Sequence, residues 1–284
     1  MKHAFMMLVH KDFEQVNTLV SNLSFGDIYI HVDKKNNQLF DQLATCYKDA
    51  KNVFLLKDRI NVNWSGFSMV EATLSIIKYM ISNNRQYDYV HLISGQDMVL
   101  MTNKQLDNFL SSIGKNKILM EYADVNSYRW RVKRYSFFRE NPNNRKFVYR
   151  VIDNILRYSQ FILPERKNLN NLKLYKGSQW FTMPYECLEY VHMLSKKYIS
   201  DFQYTACSDE HFFQILIMNS KYKDNVINNN ARYIVFKKNK ASPEFISLND
   251  FDKMMNGQYI FARKFESSIN KNIVEKIQNV LLNN

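Results

Sequence analysis

Short apolar runs alternate with amphipathic stretches through the first 120 residues, and this alternation leaves few folds open. Runs 3–9, 27–32, 52–56, 89–93 and 118–120 are aliphatic and aromatic and end in polar turns. Between them, 13–23, 38–47 and 68–81 repeat apolar residues every three or four positions, as does a helix expected from the N-cap Asn103 to residue 110. In 13–23 the stripe is Phe13, Val16, Leu19, Val20 and Leu23. Strands separated by helices of this length predict βαβ units and an α/β fold with a mostly parallel central sheet. Such sheets bind ligands beyond the C-terminal ends of their strands. His10, Asp33, residues 64–68 and the turn Ser94-Gly95-Gln96-Asp97 occupy those positions.

The second half is less regular. Residues 124–144 are polar, aromatic and arginine-rich, predicting an extended loop region, and 146–162 has a helical pattern. Residues 177–182 read as a strand, and Pro184 opens a helix at its first turn. Ser208 is expected to cap a helix carrying Phe212, Phe213, Ile215 and Leu216. Strands are expected at 232–236 and 258–262, with a closing amphipathic helix at 269–282 that faces the core. No Gly/Ser or Pro-rich linker and no repeat divides the 284 residues, so one domain is expected.

Lys and Arg outnumber Asp and Glu by 39 to 27, and the resulting +12 favours anionic partners. The cations fall in short clusters at Lys34-Lys35, 129–139, 237–240 and Arg263-Lys264. No continuous basic helix or recognisable binding module accompanies them, so no nucleic-acid partner is expected. A basic nucleic-acid-binding module built on 129–139 is the alternative from a different class. No apolar run reaches the ~18–20 residues of a membrane span. The run 5–9 reads as a buried strand rather than a signal peptide, and Cys46, Cys187 and Cys207 are too few and scattered for a disulfide framework. These features predict a reduced, cytoplasmic protein. The six histidines show no metal-ligand spacing. Asp250-Phe251-Asp252 follows the N-cap Ser247 and reads as a pair of first-turn helix charges. No Gly-rich phosphate loop, G-x-G-x-x-G or G-x-S-x-G occurs, which excludes P-loop enzymes, ordinary kinases and serine hydrolases.

Several segments carry side chains suited to chemistry. Asp209 and Glu210 open a predicted helix, where carboxylates compensate the dipole or project a general base into a cleft. Asp33 ends a strand, either to form a turn or to hydrogen-bond a nucleotide. Arg263 and Lys264 follow a strand, as a surface pair or as a diphosphate clamp that Arg232 could join. Residues 128–135 interleave aromatics with cations, including Trp130 and Arg131, to bind a sugar or a nucleic-acid strand or simply to pack a loop. Trp64 and Trp180 are either stacking platforms or core residues.

Six of these segments, in order, resemble the core-2/I-branching β-1,6-N-acetylglucosaminyltransferase family, which includes the peptide O-xylosyltransferases. They are Ile30-His31-Val32-Asp33-Lys34-Lys35, the stretch Trp64-Ser65-Gly66-Phe67-Ser68 onward to Leu74, and His91-Leu92-Ile93-Ser94-Gly95-Gln96-Asp97. Gly177-Ser178-Gln179-Trp180-Phe181, Ser208-Asp209-Glu210-His211-Phe212 and Phe261-Ala262-Arg263-Lys264-Phe265 complete the set. The resemblance implies a glycosyltransferase-A type fold and inverting transfer of a sugar, with GlcNAc the first expectation, from a UDP-sugar to a glycan hydroxyl. It implies no divalent metal and no other cofactor. UDP-xylose and UDP-glucose are alternative donors, and a catalytically silent glycan-binding relative is the alternative from another class. By matching position Glu210 is the implied base, and Asp33, Gln96, Asp97, Arg232 and Lys264 are the implied donor contacts; Val9, His10 and Arg263 complete the expected donor-binding set. Trp130, Arg131, Trp180 and Asp209 are the expected acceptor contacts. The chain departs from the family's S-G-x-D-x-P-L pattern at Val99, which stands where the proline would be. Within one domain, residues 1–122 are expected to bind the nucleotide sugar, 123–245 the acceptor and base, and 246–284 to complete the donor site. A role in surface polysaccharide synthesis is expected, with peripheral contact to an anionic inner membrane face helped by the basic excess and the C-terminal helix.

Overall fold

The computed structural model describes residues 1–144, 146–237 and 242–283. The first half alternates β1 (His3–Val9), α1 (Phe13–Asn22), β2 (Asp27–Val32), α2 (Asn37–Cys46), β3 (Val53–Leu55), α3 (Ser68–Ser82) and β4 (Tyr89–Ser94). After a tight turn follow β5 (Asp97–Val99), α4 (Asn103–Ser112) and β6 (Ile118–Met120). The middle contains β7 (Ala123–Asp124), α5 (Trp130–Lys133), α6 (Phe147–Ser159), β8 (Tyr175–Lys176), β9 (Phe181–Pro184) and α7 (Tyr185–Phe202). The chain closes with α8 (Phe212–Met218), β10 (Val226–Ile227), β11 (Arg232–Ile234), α9 (Phe251–Met255), β12 (Phe261–Arg263) and α10 (Ser267–Leu282).

The central sheet has the order β10-β6-β9-β4-β1-β2-β3, and only β9 runs against the others. This is the mostly parallel α/β sheet that the alternation predicts. Buried on both faces, β1 sends Ala4 and Met6 to one core and Phe5 and Met7 to the other. The first core packs Val70 and Ile77 of α3, Leu188 of α7 and Ile215 of α8. The second packs Val16 and Leu19 of α1, Leu39 of α2 and Leu106 of α4. A smaller sheet, β11-β12-β5, rests on a third core that includes Met254, Ile273 and Ile277 of α9 and α10. The closing helix therefore faces the core, as its pattern predicts.

Helix starts follow local polar chemistry, and four segments depart from expectation. The cap of α4 is Thr102, one residue before Asn103, because Thr102 and Gln105 form a reciprocal capping box. Ser208 caps no helix. Its hydroxyl bonds Thr205 at 2.7 Å, residues 208–210 form a 3₁₀ turn, and α8 starts only at Phe212. The expected strand 177–182 is shorter and later, because Gly177 donates its N–H to the Glu210 carbonyl at 2.8 Å rather than to a ladder. A Cβ on Gly177 would lie 1.8 Å from the Glu121 carbonyl oxygen, so this approach requires glycine. Residues 124–144, expected as extended loop, include a 3₁₀ turn and α5. Ser247 and Asp250 form a second capping box, in line with the reading of Asp250 as a helix charge. Of the basic cluster 237–240, only Lys237 lies among the described residues, paired with Glu244 at 2.9 Å.

Candidate active site

The strand ends converge on one open cleft of about 1100 Å³. Val9 ends β1 and His10 follows it, Asp33 follows β2, Gln96 lies in the turn after β4, and Glu121 follows β6. Arg232 enters from the start of β11, while Arg263 and Lys264 enter from the end of β12. Opposite elements supply Trp64, Trp180, Asp209 and Glu210. A sheet that carries its residues in at C-terminal strand edges concentrates them here, although they lie up to 255 positions apart in the chain.

Each cation is held differently. Arg263 lies opposite Asp97 in the antiparallel β12–β5 pair, and its guanidinium bonds the Asp97 carboxylate at 2.6 Å. The same guanidinium sits 4.5 Å over the Trp180 ring. Arg232 is buried and donates to the Leu92 and Phe181 carbonyls at 2.9 and 2.8 Å, while its Nε has no partner. Burial lowers its pKa to about 10, and the charges of Asp97 and Glu121 oppose that shift, so the guanidinium stays protonated at neutral pH. Lys264 lies 4.8 Å over the Phe245 ring.

The carboxylates have distinct surroundings. Glu210 Oε2 accepts a hydrogen bond from Arg131 at 2.5 Å, and its side chain stays 38% exposed to the cleft. Asp209 has its Oδ1 buried without a partner. Burial first, and then the neighbouring Glu210 charge, push the Asp209 pKa to about 7. Glu121 is also raised, chiefly by burial, with Arg232 opposing. Asp33 accepts the Lys35 N–H at 3.0 Å, so it forms a turn and faces the cleft at once. His31 accepts the Ile60 N–H on Nε2 at 2.8 Å, and burial lowers its pKa to about 4, leaving it neutral.

Ten of the thirteen expected site residues line the cleft: Val9, His10, Asp33, Gln96, Arg232, Arg263, Lys264, Trp180, Asp209 and Glu210. Three do not. Asp97 is 1% exposed and is consumed by Arg263 and the Ser94 N–H, so it orients a cleft residue instead of facing a ligand. Trp130 lies under Arg157 of α6 at 4.4 Å, and Arg131 reaches the site only through Glu210. Trp180 is buried, and Arg263 occupies one of its faces, which leaves little ring for a stacked sugar. Within the basic run 129–139, Arg129 pairs Glu165, Lys133 and Arg134 bond loop carbonyls, and Arg139 joins Ser65 and Asp153. A nucleic-acid interface needs such cations presented outward; Lys133 and Arg134 are buried, Arg131 and Arg139 are mostly covered, and Arg129 alone of the run stays half exposed, paired to Glu165. Among the described residues, no three His, Cys, Asp or Glu side chains converge as metal ligands do.

A sequence profile described as Core-2/I-Branching enzyme matches residues 3–255. The chain belongs to that family. Xylosyltransferase 1 of Rattus norvegicus is 24% identical over 305 residues, covering 99% of this chain and 35% of the rat protein. Xylosyltransferase 1 of Homo sapiens is 24% identical, covering 99% and 30% of the two chains, and rat xylosyltransferase 2 is 24% identical, covering 96% and 33%. The chain spans about a third of the length of these curated relatives. Solved glycosyltransferases match more distantly. GlyE of Streptococcus pneumoniae has TM-score 0.37 and 11% identity over all of this chain and 62% of its own. The bifunctional glycosyltransferase WbbM has TM-score 0.41 and 12% identity, covering 98% and 49%.

Glu121, Lys176 and Asn228 also line the cleft and are not among the expected residues. Glu121 was accessible to the rule already applied, since it directly follows the predicted strand 118–120. Lys176 ends β8 and Asn228 follows β10, strands of two residues that are too short to leave a periodic signal.

Proposed function

We propose that this chain is an inverting glycosyltransferase that moves a sugar from a UDP-sugar onto a hydroxyl of a glycan acceptor, with Glu210 as base. The observation that carries the reading is the meeting, in one cleft, of the Asp209-Glu210 carboxylates with Arg232, Arg263 and Lys264. Inverting transfer needs both groups. A carboxylate takes the proton from the acceptor hydroxyl as its oxygen attacks the anomeric carbon. The bond from that carbon to the diphosphate oxygen breaks through an oxocarbenium-like state, and negative charge grows on the departing UDP. Cations already held in place stabilise that charge without reorganising, the task a divalent ion performs elsewhere. Arg131 orients the Glu210 carboxylate, and Asp97 orients Arg263. UDP-GlcNAc is the first candidate donor. UDP-xylose is the second, favoured by the curated relatives named xylosyltransferase.

The test is UDP release in the presence of EDTA, from UDP-GlcNAc and UDP-xylose, with a panel of glycan acceptors. Glu210→Gln should keep UDP binding and lose roughly 10²–10⁴-fold in turnover. Turnover near that of the unmodified chain would remove Glu210 from the role.

A further inference from the structure

The helix α6 is inside out. Positions 147, 151, 155 and 158 fall on one stripe, with 148 beside it. That stripe faces solvent: Phe147 is 79% exposed, Val148 and Ile155 62% and Tyr158 64%. The following turn continues it with Phe161 at 56% and Ile162 at 87%. The side turned to the protein carries the polar contacts, with Asp153 bonded to Arg139 at 2.9 Å and Arg157 lying 4.4 Å over Trp130. No residue of α6 or of the turn is buried. An ordinary surface helix places these faces the other way round, and a contiguous apolar face of this extent marks a contact surface.

The charge around the stripe has one sign. Between residues 123 and 167 stand eleven Lys and Arg against four Asp and Glu, so this segment holds seven of the chain's twelve excess positive charges. All four acids are committed: Asp124 to Lys173, Asp153 to Arg139, Glu165 to Arg129, and Glu140 to the Ser68 N–H. Lys146 and Arg150 stay exposed at the edge of the stripe, and the Arg134 guanidinium lies 5.1 Å from the Phe161 ring.

We propose that α6 and the turn behind it dock the protein on an anionic phospholipid bilayer. The helix lies flat, its apolar stripe enters the boundary between headgroups and acyl chains, and the rim cations meet the lipid phosphates. Apolar depth and positive charge on the same face complement both layers of that surface. Pro142 and Asn144, just before α6, line the cleft, so docking sets the cleft opening beside the lipid. If the transferase reading holds, this favours an acceptor carried on a membrane lipid.

The experiment is flotation of the full chain with vesicles of phosphatidylcholine alone and of phosphatidylcholine with 30% phosphatidylglycerol, at low and high salt. Binding should be at least tenfold tighter to the anionic vesicles and should weaken with salt. Val148→Asp with Ile155→Asp should reduce it at least tenfold while the circular-dichroism melt stays intact. In the unmodified chain, anionic vesicles should slow amide exchange across 147–163, a readout that does not depend on the variant folding. No binding, equal binding by a folded variant, or no protection of 147–163 would each overturn the proposal. So would a dimer in solution that the double variant dissolves, since a second copy would then cover the face. Donor hydrolysis is read separately, so failure of docking leaves the transferase reading standing.

Discussion

Arg232 and Lys264 use positive charge in different ways. The Arg232 guanidinium bridges the carbonyls of Leu92 and Phe181, on the neighbouring strands β4 and β9, from a buried position. Arg232→Ala should therefore cost about 2–4 kcal/mol of stability by leaving those carbonyls unpaired, read as a lower denaturation midpoint. Lys264→Ala should weaken UDP binding roughly tenfold, the loss of one charged contact, as measured by calorimetry. Unchanged affinity would take Lys264 out of the clamp. Asp209 makes a pH-dependent contribution. Its folded pKa of about 7 lies above the ordinary 3.8, so the native state keeps a proton between those values that the unfolded chain has lost. Stability is then fully retained below about pH 4 and falls as pH rises toward 7, by at most about 4 kcal/mol. Asp209→Asn should melt above the unmodified chain by a margin that widens from pH 5 to pH 8. A constant margin would mean that Asp209 titrates normally.

The start of α3 depends on a residue far away in the chain. Its N-cap, Phe67, has no capping side chain, and Glu140 supplies the missing acceptor by taking the Ser68 N–H at 2.8 Å. Asn63 donates to the Glu140 backbone carbonyl at 2.9 Å, and Gly66 makes room, since a Cβ there would lie 2.3 Å from Glu140 Oε1. Glu140→Ala should lower stability by about 1–2 kcal/mol, a drop of a few degrees in the melt. A melt unchanged within a degree would show the cap to be dispensable. Elements whose two faces are both specified by pattern, β1 to β4 and α1 to α4, were legible because side-chain period alone sets their type. The 208–212 segment was not. Ser208 met a competing partner in Thr205, and only the folded chain decides such a competition.

For the molecule as a whole, the cleft predicts ligand-linked stability. UDP at 100 times its Kd should add about 2.7 kcal/mol, and EDTA should leave that gain intact because the chain itself supplies the cations. A thermal shift that vanishes in EDTA and returns with manganese would overturn the cationic clamp. By itself the sequence determined the α/β class, the order of the central elements and ten of the cleft's residues. The class and the element order depend on local periodicity, and His10, Asp33 and Gln96 on the rule that parallel strands end at the ligand; the rest were placed at the site with the family resemblance. Tertiary structure alone decided what each charge does. The β12–β5 register turned Asp97 toward Arg263, packing buried Lys133 and Arg134 of the basic run, and an uncovered face was left along α6. The pattern of α6 announces an amphipathic helix, but which side meets the protein depends on neighbours distant in sequence, and no local periodicity encodes that.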